Sequence, residues 1–312
     1  MIGAMSADVE FPSTADSQRV STELVAVIVS LSGEGPVVMT SPDGARLPSG
    51  PLRSDHRSLQ MGMRTWVEQQ TQLSLGYVEQ LYTFADPDRT GSAGRTISVS
   101  YLGLTRASSQ VAPWQGFYEY FPWEDQRSGT RVMRDEIAGR LTEWAASSTN
   151  EVTRAQRALR SAVNFGLEGR AWRPELTLQR YEMLYEAGLI PESPSPHGPP
   201  LVGRPMEHDH RRILATGIAR LRAKIQYRPV VFEVMPDQFT LGNLQSVVEA
   251  LAGQGLHKQN FRRLITQQDL VEETGQTDQQ TGGRPAKLYA FRREVLDERR
   301  TGGTKLPVTR TR

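Results

Sequence analysis

Seven donor-bearing side chains in the last third of the sequence have types and spacing suited to a polyanion. Gln259, Arg262, Arg263 and Thr266 recur at i, i+3, i+4 and i+7, with Lys258 beside them. In a helix, that spacing gathers the four on one side. Arg and Gln can pair bidentately with the edges of guanine and adenine, and Lys serves a phosphate. Arg284 and Lys287 follow in Thr281-Gly-Gly-Arg-Pro-Ala-Lys287, a glycine-rich hairpin tip that can approach a backbone or minor groove closely. Phe261, Leu264 and Ile265 fall on the other side of the same helix and are predicted to pack. The plainer reading of these residues is a solvated basic face used for protein contact, and Glu272 and Glu273 lean that way. A basic helix followed by a basic wing leans further toward nucleic acid.

Other constellations offer less. His208 and His210 flank Asp209, but alternate residues on a helix point apart and no third ligand lies near, so no metal site is expected. No Gly-x-Ser-x-Gly elbow is present. The Thr301-Gly-Gly-Thr304 run has no helix pattern after it, so it is expected to be tail. No catalytic residue is assigned.

The elements that would position these groups can be read from periodicity. Glu23–Ser32, the Gly33/Gly35 turn and Val37–Met39 predict a β-hairpin, and Ser41–Gly50 predicts a loop. Leu59, Met63, Trp66/Val67, Gln70 and Leu73 recur at helical spacing. Gly76–Phe84 and Thr96–Leu104 predict strands around the Asp86–Gly94 turn. Helices are expected from about Val132 to Ala187, with Ile137, Leu141 and Trp144 inward and Leu176–Leu189 amphipathic. Pro191–Pro205 holds six prolines in fifteen residues, which excludes helix and central strand and predicts a linker.

Beyond it, Leu214, Ile218, Leu221 and Ile225 predict a first helix over about Asp209–Gln226. Pro229–Val234 predicts a short strand. Thr240 caps a second helix carrying Leu241, Leu244, Val247/Val248 and Leu251. Gly253–Gly255 breaks it, and a third helix covers about His257–Gln268. Leu270–Thr274 and Leu288–Phe291 then form a hairpin around Gly275–Gly283. This order predicts a winged helix, in which the last helix enters the major groove.

Bulk properties agree. A chain of 312 residues favours two domains. Met206–Arg312 carries 18 Lys/Arg against 12 Asp/Glu, a net of +6, and the remainder therefore −4 within the total of +2. Only the C-terminal part is thus expected to meet a polyanion. Zero cysteines exclude disulfides and thiolate metal sites and fit a reducing cytoplasm. No apolar run approaches the ~18 residues of a membrane span.

The N-terminal half carries a resemblance. Leu47-Pro-Ser-Gly-Pro-Leu52, followed by the helix ending Thr65-Trp-Val-Glu-Gln-Gln-Thr-Gln-Leu73, resembles a Nudix box. Aligned backward from Leu73, Thr65 takes the box Arg, Trp66 the first Glu, and Gln69 and Gln70 the Glu pair. Aligned forward from Gly50, His56 takes the isolated Glu, and only Arg64 and Glu68 match. Either way at most one metal-binding carboxylate survives, and Gln carries no charge for a hard cation.

With Tyr181-x-x-Leu-Tyr-Glu-Ala-Gly-Leu189, Asn260-Phe-Arg-Arg-Leu264 and Gly282-Gly-Arg-Pro-Ala-Lys-Leu-Tyr289, the chain from about Glu23 to Arg293 resembles the Nudix-related transcriptional regulators. It is most similar to the alphaproteobacterial branch that represses NAD biosynthesis genes. The resemblance implies an α+β protein with an N-terminal Nudix-like α/β/α sandwich and a C-terminal winged helix-turn-helix domain. The implied divisions are a tail (1–20), a sensing domain with helical extension (21–190), a linker (191–206), a DNA-binding domain (207–296) and a second tail (297–312).

It further implies a cytoplasmic homodimeric repressor on double-stranded operator DNA. Its effector would be a nucleotide, ADP-ribose, NAD or ATP, with no other cofactor. Arg46, Gly50 and Arg53 are the candidates for its phosphates. Tyr120 is the candidate for its adenine, with Phe117, Tyr118 and Trp123 as further aromatics. Two rivals remain open: a divergent Nudix pyrophosphatase with a nucleic-acid-binding appendage, and a nucleotide-sensing adaptor that binds protein.

Overall fold

A computed structural model describes residues 20–33, 35–71, 75–85, 90–91, 94–106, 113–127, 131–201, 203–278 and 285–292. In chain order the strands are β1 (Val20–Ser32), β2 (Gly35–Met39), β3 (Ser49–Pro51), β4 (Tyr77–Phe84), β5 (Thr90–Gly91), β6 (Gly94–Leu104) and β7 (Trp114–Gly116), followed by β8 (Gln238–Phe239), β9 (Val271–Asp278) and β10 (Ala286–Phe291). The helices are α1 (Leu59–Thr71), α2 (Phe117–Tyr120), α3 (Arg131–Ala146), α4 (Glu151–Phe165), α5 (Thr177–Glu186), α6 (His210–Ile225), α7 (Leu241–Ala252) and α8 (Lys258–Gln267).

Strand β1 organises the N-terminal domain. The sheet order is β4-β6-β1-β2-β7, with β3 also on β1 and β5 on β6. β1 runs parallel to β6 and antiparallel to β2 and β3. Seven consecutive residues, Leu24–Ser30, are buried, so both faces of the strand are covered. Leu24, Ala26 and Ile28 point to the side where Met63 and Val67 of α1 pack with Val99 and Tyr101. Val25, Val27 and Val29 point to the other side, into a core shared with Leu102, Leu104 and the α6 residues Ile213, Leu214, Ile218 and Leu221. This is the α/β/α sandwich of a Nudix-like domain, with α1 and α6 as its outer layers.

Helix α6 forms where the sequence predicts it, but its packing partner differs from the expected one. It is the sandwich's second cover and not solely the first helix of the C-terminal unit. A Cβ on Gly217 would lie 2.7 Å from Val27 Cγ1, so glycine sets how closely helix and strand approach. The stripe Leu214, Ile218, Leu221 is the same whichever surface it meets, so periodicity alone could not choose.

The proline-rich stretch forms no helix or strand, as expected, yet it is tied down along its length. His197 N donates to Gly188 O, Leu201 N to Leu189 O and Arg204 N to Glu119 O. Leu201 is buried. Pro229–Val234 is a second difference: it contains a single 3-10 turn, Val230–Glu233, rather than a strand. Its apolar run is buried, with Phe232 stacked on Phe291 at 4.0 Å. A short apolar run does not distinguish strand from buried turn.

The C-terminal unit follows the expected order. Thr240 caps α7, its side chain accepting from Asn243 N at 3.0 Å. Gly253 ends α7 in the left-handed conformation, φ +71°. A three-stranded sheet, β8-β10-β9, closes the unit. Of the expected tip Gly275–Gly283, residues 275–278 continue β9 and 279–283 lie outside the described residues, as do residues 1–19, Leu73, 297–312 and much of the Asp86–Gly94 turn.

Replacing Gly217 by Leu should destabilise the protein by about 1–3 kcal/mol through overpacking against Val27. Denaturant unfolding followed at a sheet-domain probe checks this. A shift confined to the C-terminal unit would contradict the packing described.

Candidate nucleic-acid interface and sensor site

The reading head is assembled from α7, the five-residue turn after it, and α8. Glu249 Oε1 accepts from Leu256 N at 2.8 Å and from Gln245 Nε2 at 2.9 Å, so one α7 carboxylate fixes the turn. On α8, Phe261 is buried and Ile265 half-buried. Lys258, Gln259, Arg262, Arg263 and Thr266 are all exposed, with Gln259, Arg263 and Thr266 opposite Phe261 on the helix. Thr266 Oγ1 donates to Arg262 O, which keeps its methyl and an acceptor lone pair outward.

Among the described residues, none of Lys258, Arg262 and Arg263 has an ion-pair partner. The wing contrasts with this. Lys287 Nζ pairs with Glu273 at 2.9 Å, and Arg292 pairs with Asp269. The Glu273 carboxyl is held below its ordinary value by that hydrogen bond from Lys287. Arg284 lies outside the described residues.

Leu264 departs from the expected pattern. Placed by spacing on the packed side, it is 50% exposed, because α8 offers only a narrow stripe around Phe261 and Ile265 to the core. The sequence therefore missed an apolar side chain on the exposed surface of this helix.

The four sensor candidates do not line one cleft. Gly50 sits on β3 opposite Leu24, and a Cβ there would collide with the Trp66 indole of α1. Its lack of a side chain is explained by that contact. Tyr120 is fully buried in the core on the opposite sheet face, its hydroxyl donating to Gly44 O at 2.7 Å. It presents no ring face to a ligand, and the expectation for adenine is corrected accordingly. Phe117 and Trp123 are buried as well, and Tyr118 points its hydroxyl at Ala250 O.

Arg46 and Arg53 are exposed, but each is ion-paired, to Glu207 and Asp55 respectively. On the box helix, Met63 and Val67 face inward while Thr65, Glu68 and Gln69 are exposed. Arg64 turns back to donate to Leu75 O at 2.6 Å and Gly76 O at 3.3 Å. Among the described residues no group of three or more His, Cys, Asp or Glu is placed to hold a metal ion.

A buried charge cluster ties the segment after α2 to α5 and α6, and through Arg222 it touches the end of α7. Glu124, Arg180 and Arg222 are each at most 2% exposed. Arg180 grips Glu124 bidentately, Nε to Oε1 at 2.6 Å and Nη2 to Oε2 at 2.7 Å. Arg222 Nη1 donates to Oε2 from α6, and Thr177 Oγ1 donates to it at 3.2 Å. Burial by itself would raise the Glu124 carboxyl, but Arg180 and Arg222 outweigh it and hold the group below its ordinary 4.5.

A mixed-sheet sandwich with a box-like helix, followed by a helix-turn-helix and wing, defines a two-domain protein of Nudix-like and winged-helix type. Residues 231–291 match the NrtR DNA-binding winged helix domain, and this segment is a winged helix of that type. The chain is 39% identical over 89 residues to the ADPR responsive transcriptional repressor NtrR of Acinetobacter baylyi. That stretch covers 28% of this chain and 35% of the relative, about a third of its length. In structure it resembles Shewanella oneidensis NrtR complexed with a 27mer DNA, with TM-score 0.52 at 19% identity over 88% of this chain and 95% of that one. The structure of Shewanella oneidensis NrtR without DNA gives TM-score 0.50 at the same identity and coverage. At that identity the likeness establishes the shared fold.

The Glu124 pKa is lower in the folded than in the unfolded chain. Its stabilising contribution is therefore complete above about 4.5 and lost as pH falls below that value. Glu124→Gln should cost about 3–5 kcal/mol near neutral pH, because it leaves two arginines buried without their carboxylate. It should also flatten the acid limb of stability measured by urea unfolding from about pH 6 to about pH 3. An acid limb as steep as wild type would contradict the assignment.

Proposed function

We propose that this chain is a DNA-binding transcriptional repressor whose Nudix-like domain senses an NAD-related nucleotide, ADP-ribose foremost, and that it regulates NAD biosynthesis genes. The observation that carries the reading is the exposed face of α8, where three cations stand without ion-pair partners among the described residues, on a winged helix of NrtR type. Uncompensated cations on a projecting helix release DNA counterions on binding, whereas internally paired ones must first exchange a partner.

In this reading Gln259, Arg262, Arg263 and Thr266 meet base edges and Lys258 a phosphate. Leu264 adds an apolar surface suited to a thymine methyl. Arg284 and Lys287 serve the wing, Lys287 by exchanging Glu273 for a phosphate. ADP-ribose is favoured over NAD or ATP because the curated relative is an ADPR responsive repressor.

Its phosphates would be answered by Arg53, and by Arg46 after release from Glu207. The aromatic surface on the box-helix side consists of Trp66 and Trp114, which stand in for Tyr120. Gln69 and Gln70, where the Nudix resemblance places the box's Glu pair, favour a sensor over a hydrolase. The protein would act as a cytoplasmic homodimer on a palindromic site. Its DNA-reading unit would begin near residue 229, after α6, with residues 21–225 forming the sensor.

Alanine at Arg262 or Arg263 should each weaken operator binding by about 1–3 kcal/mol and relax preference at one base position, in gel shifts on the chain's own upstream region. A double variant that shifts operator as well as wild type would sink the recognition-helix assignment. Adding ADP-ribose should change wild-type operator affinity by about 5-fold or more without releasing AMP in the presence of Mg²⁺. Steady AMP formation would establish the hydrolase instead.

A further inference from the structure

The turn of the helix-turn-helix is not held by the winged helix alone. Three donors from the Nudix-like domain converge on the carbonyls that end α7. Tyr118 Oη donates to Ala250 O, Arg222 Nε donates to Leu251 O at 3.0 Å, and Gln126 N donates to Gly253 O at 2.6 Å. The donors also touch one another: Arg222 Nη2 lies 3.4 Å from the Tyr118 hydroxyl and 3.3 Å from Glu124 O. Gly253 is the first residue of the turn leading into α8. A Cβ there would collide with Glu124 O and come within 2.7 Å of Arg222 Nη2.

The charge arithmetic explains why these groups meet here. Glu124 offers one negative charge to two buried arginines, so the cluster carries one surplus positive charge. The last carbonyls of a helix form the negative end of its dipole and lack partners inside the helix. The surplus cation and the open carbonyls answer each other across the domain boundary. Both holders are themselves anchored to the sheet. Tyr118 follows directly from β7, and Arg222 lies on α6, one and a half turns beyond the Gly217–Val27 contact.

We infer that Tyr118 and Arg222 form a latch through which the nucleotide-sensing domain sets the orientation of the recognition helix. They are positioning residues: neither reaches α8 or DNA, and both act through the end of α7. The functional consequence rests on the DNA-binding reading above; the latch itself does not.

The test is Tyr118→Phe, which keeps the ring and removes only the donor to Ala250 O, compared with wild type by hydrogen exchange on the full chain. Amides of residues 250–257 should exchange about three- to tenfold faster, with protection of β1 and β6 unchanged. A hydroxyl that merely stabilised its own domain would loosen β1 and β6 together with the turn. That pattern, or unchanged exchange at 250–257, overturns the latch. Gly253→Ala, which obstructs the docking of Glu124 and Arg222 on the turn, should give the same localised loosening to a larger degree.

Operator affinity should fall about threefold or more in both variants while affinity for unrelated DNA stays level. Loosening without any change in operator affinity would overturn the role in orientation. The exchange readout needs neither DNA nor nucleotide, so a wild-type protein that bound no operator would count against the DNA reading while the latch stood or fell by exchange.

Discussion

Glu124 has no access to water, and one of the arginines it holds, Arg222, also donates to the carbonyl of Leu251 at the end of α7. An isolated carboxylate in that position would be strongly disfavoured. Here it is paid for by a bidentate Arg180, a second arginine and a threonine hydroxyl. The partners arrive from two helices, Thr177 and Arg180 from α5 and Arg222 from α6, while Glu124 itself follows α2. Arg180 also lies over the Trp172 ring at 3.9 Å, which takes up part of its charge on the side away from Glu124. A buried pair of this kind contributes little net stability beside an apolar core of the same shape. It does penalise any arrangement in which one partner is missing. Its value is in specifying a single geometry, and that geometry includes the end of α7.

The apolar framework was readable in the sequence because burial leaves a period. β1 alternates between two cores, α1 shows Met63 and Val67 at helical spacing, and Thr240 and Gly253 bracket α7 by side-chain chemistry and backbone freedom. What period cannot encode is the identity of the opposite surface. α6 carries the same stripe whether it covers a sheet or a helix, and only Gly217 hints that something approaches closely. The buried cluster was invisible for a related reason. Arg and Glu are read as surface residues unless their partners are known, and the partners of Glu124 lie 53 to 98 positions away.

The sensor residues were the least readable. Gly50 and Tyr120 each offer a chemistry in isolation, a close backbone approach and a stacking ring. The structure gives each a neighbour that already uses that property: the Trp66 indole against Gly50, and the Gly44 carbonyl on the Tyr120 hydroxyl, in a core on the other side of the sheet. Single residues without a periodic or cooperative context carry little positional information. The exposed polar face of α8 was more readable because five polar residues recur at helical spacing, and all five are exposed.

Charge is divided unevenly across the reading head, and the division has a physical consequence. Among the described residues the cations of α8 have no ion-pair partner, while Lys287 and Arg292 of the hairpin are paired with Glu273 and Asp269. An exposed pair of that kind is weak, so a phosphate can displace the glutamate at small cost, yet the displaced carboxylate then sits near the DNA and opposes the gain. The attractive field is therefore concentrated on α8, the element whose direction the end of α7 controls. A change of angle at the turn would move the unpaired cations together and leave the wing nearly neutral. If the N-terminal domain senses a nucleotide as proposed, its grip on the turn acts on the element that carries those cations, and it would shift the equilibrium only by the difference in nucleotide affinity between two orientations.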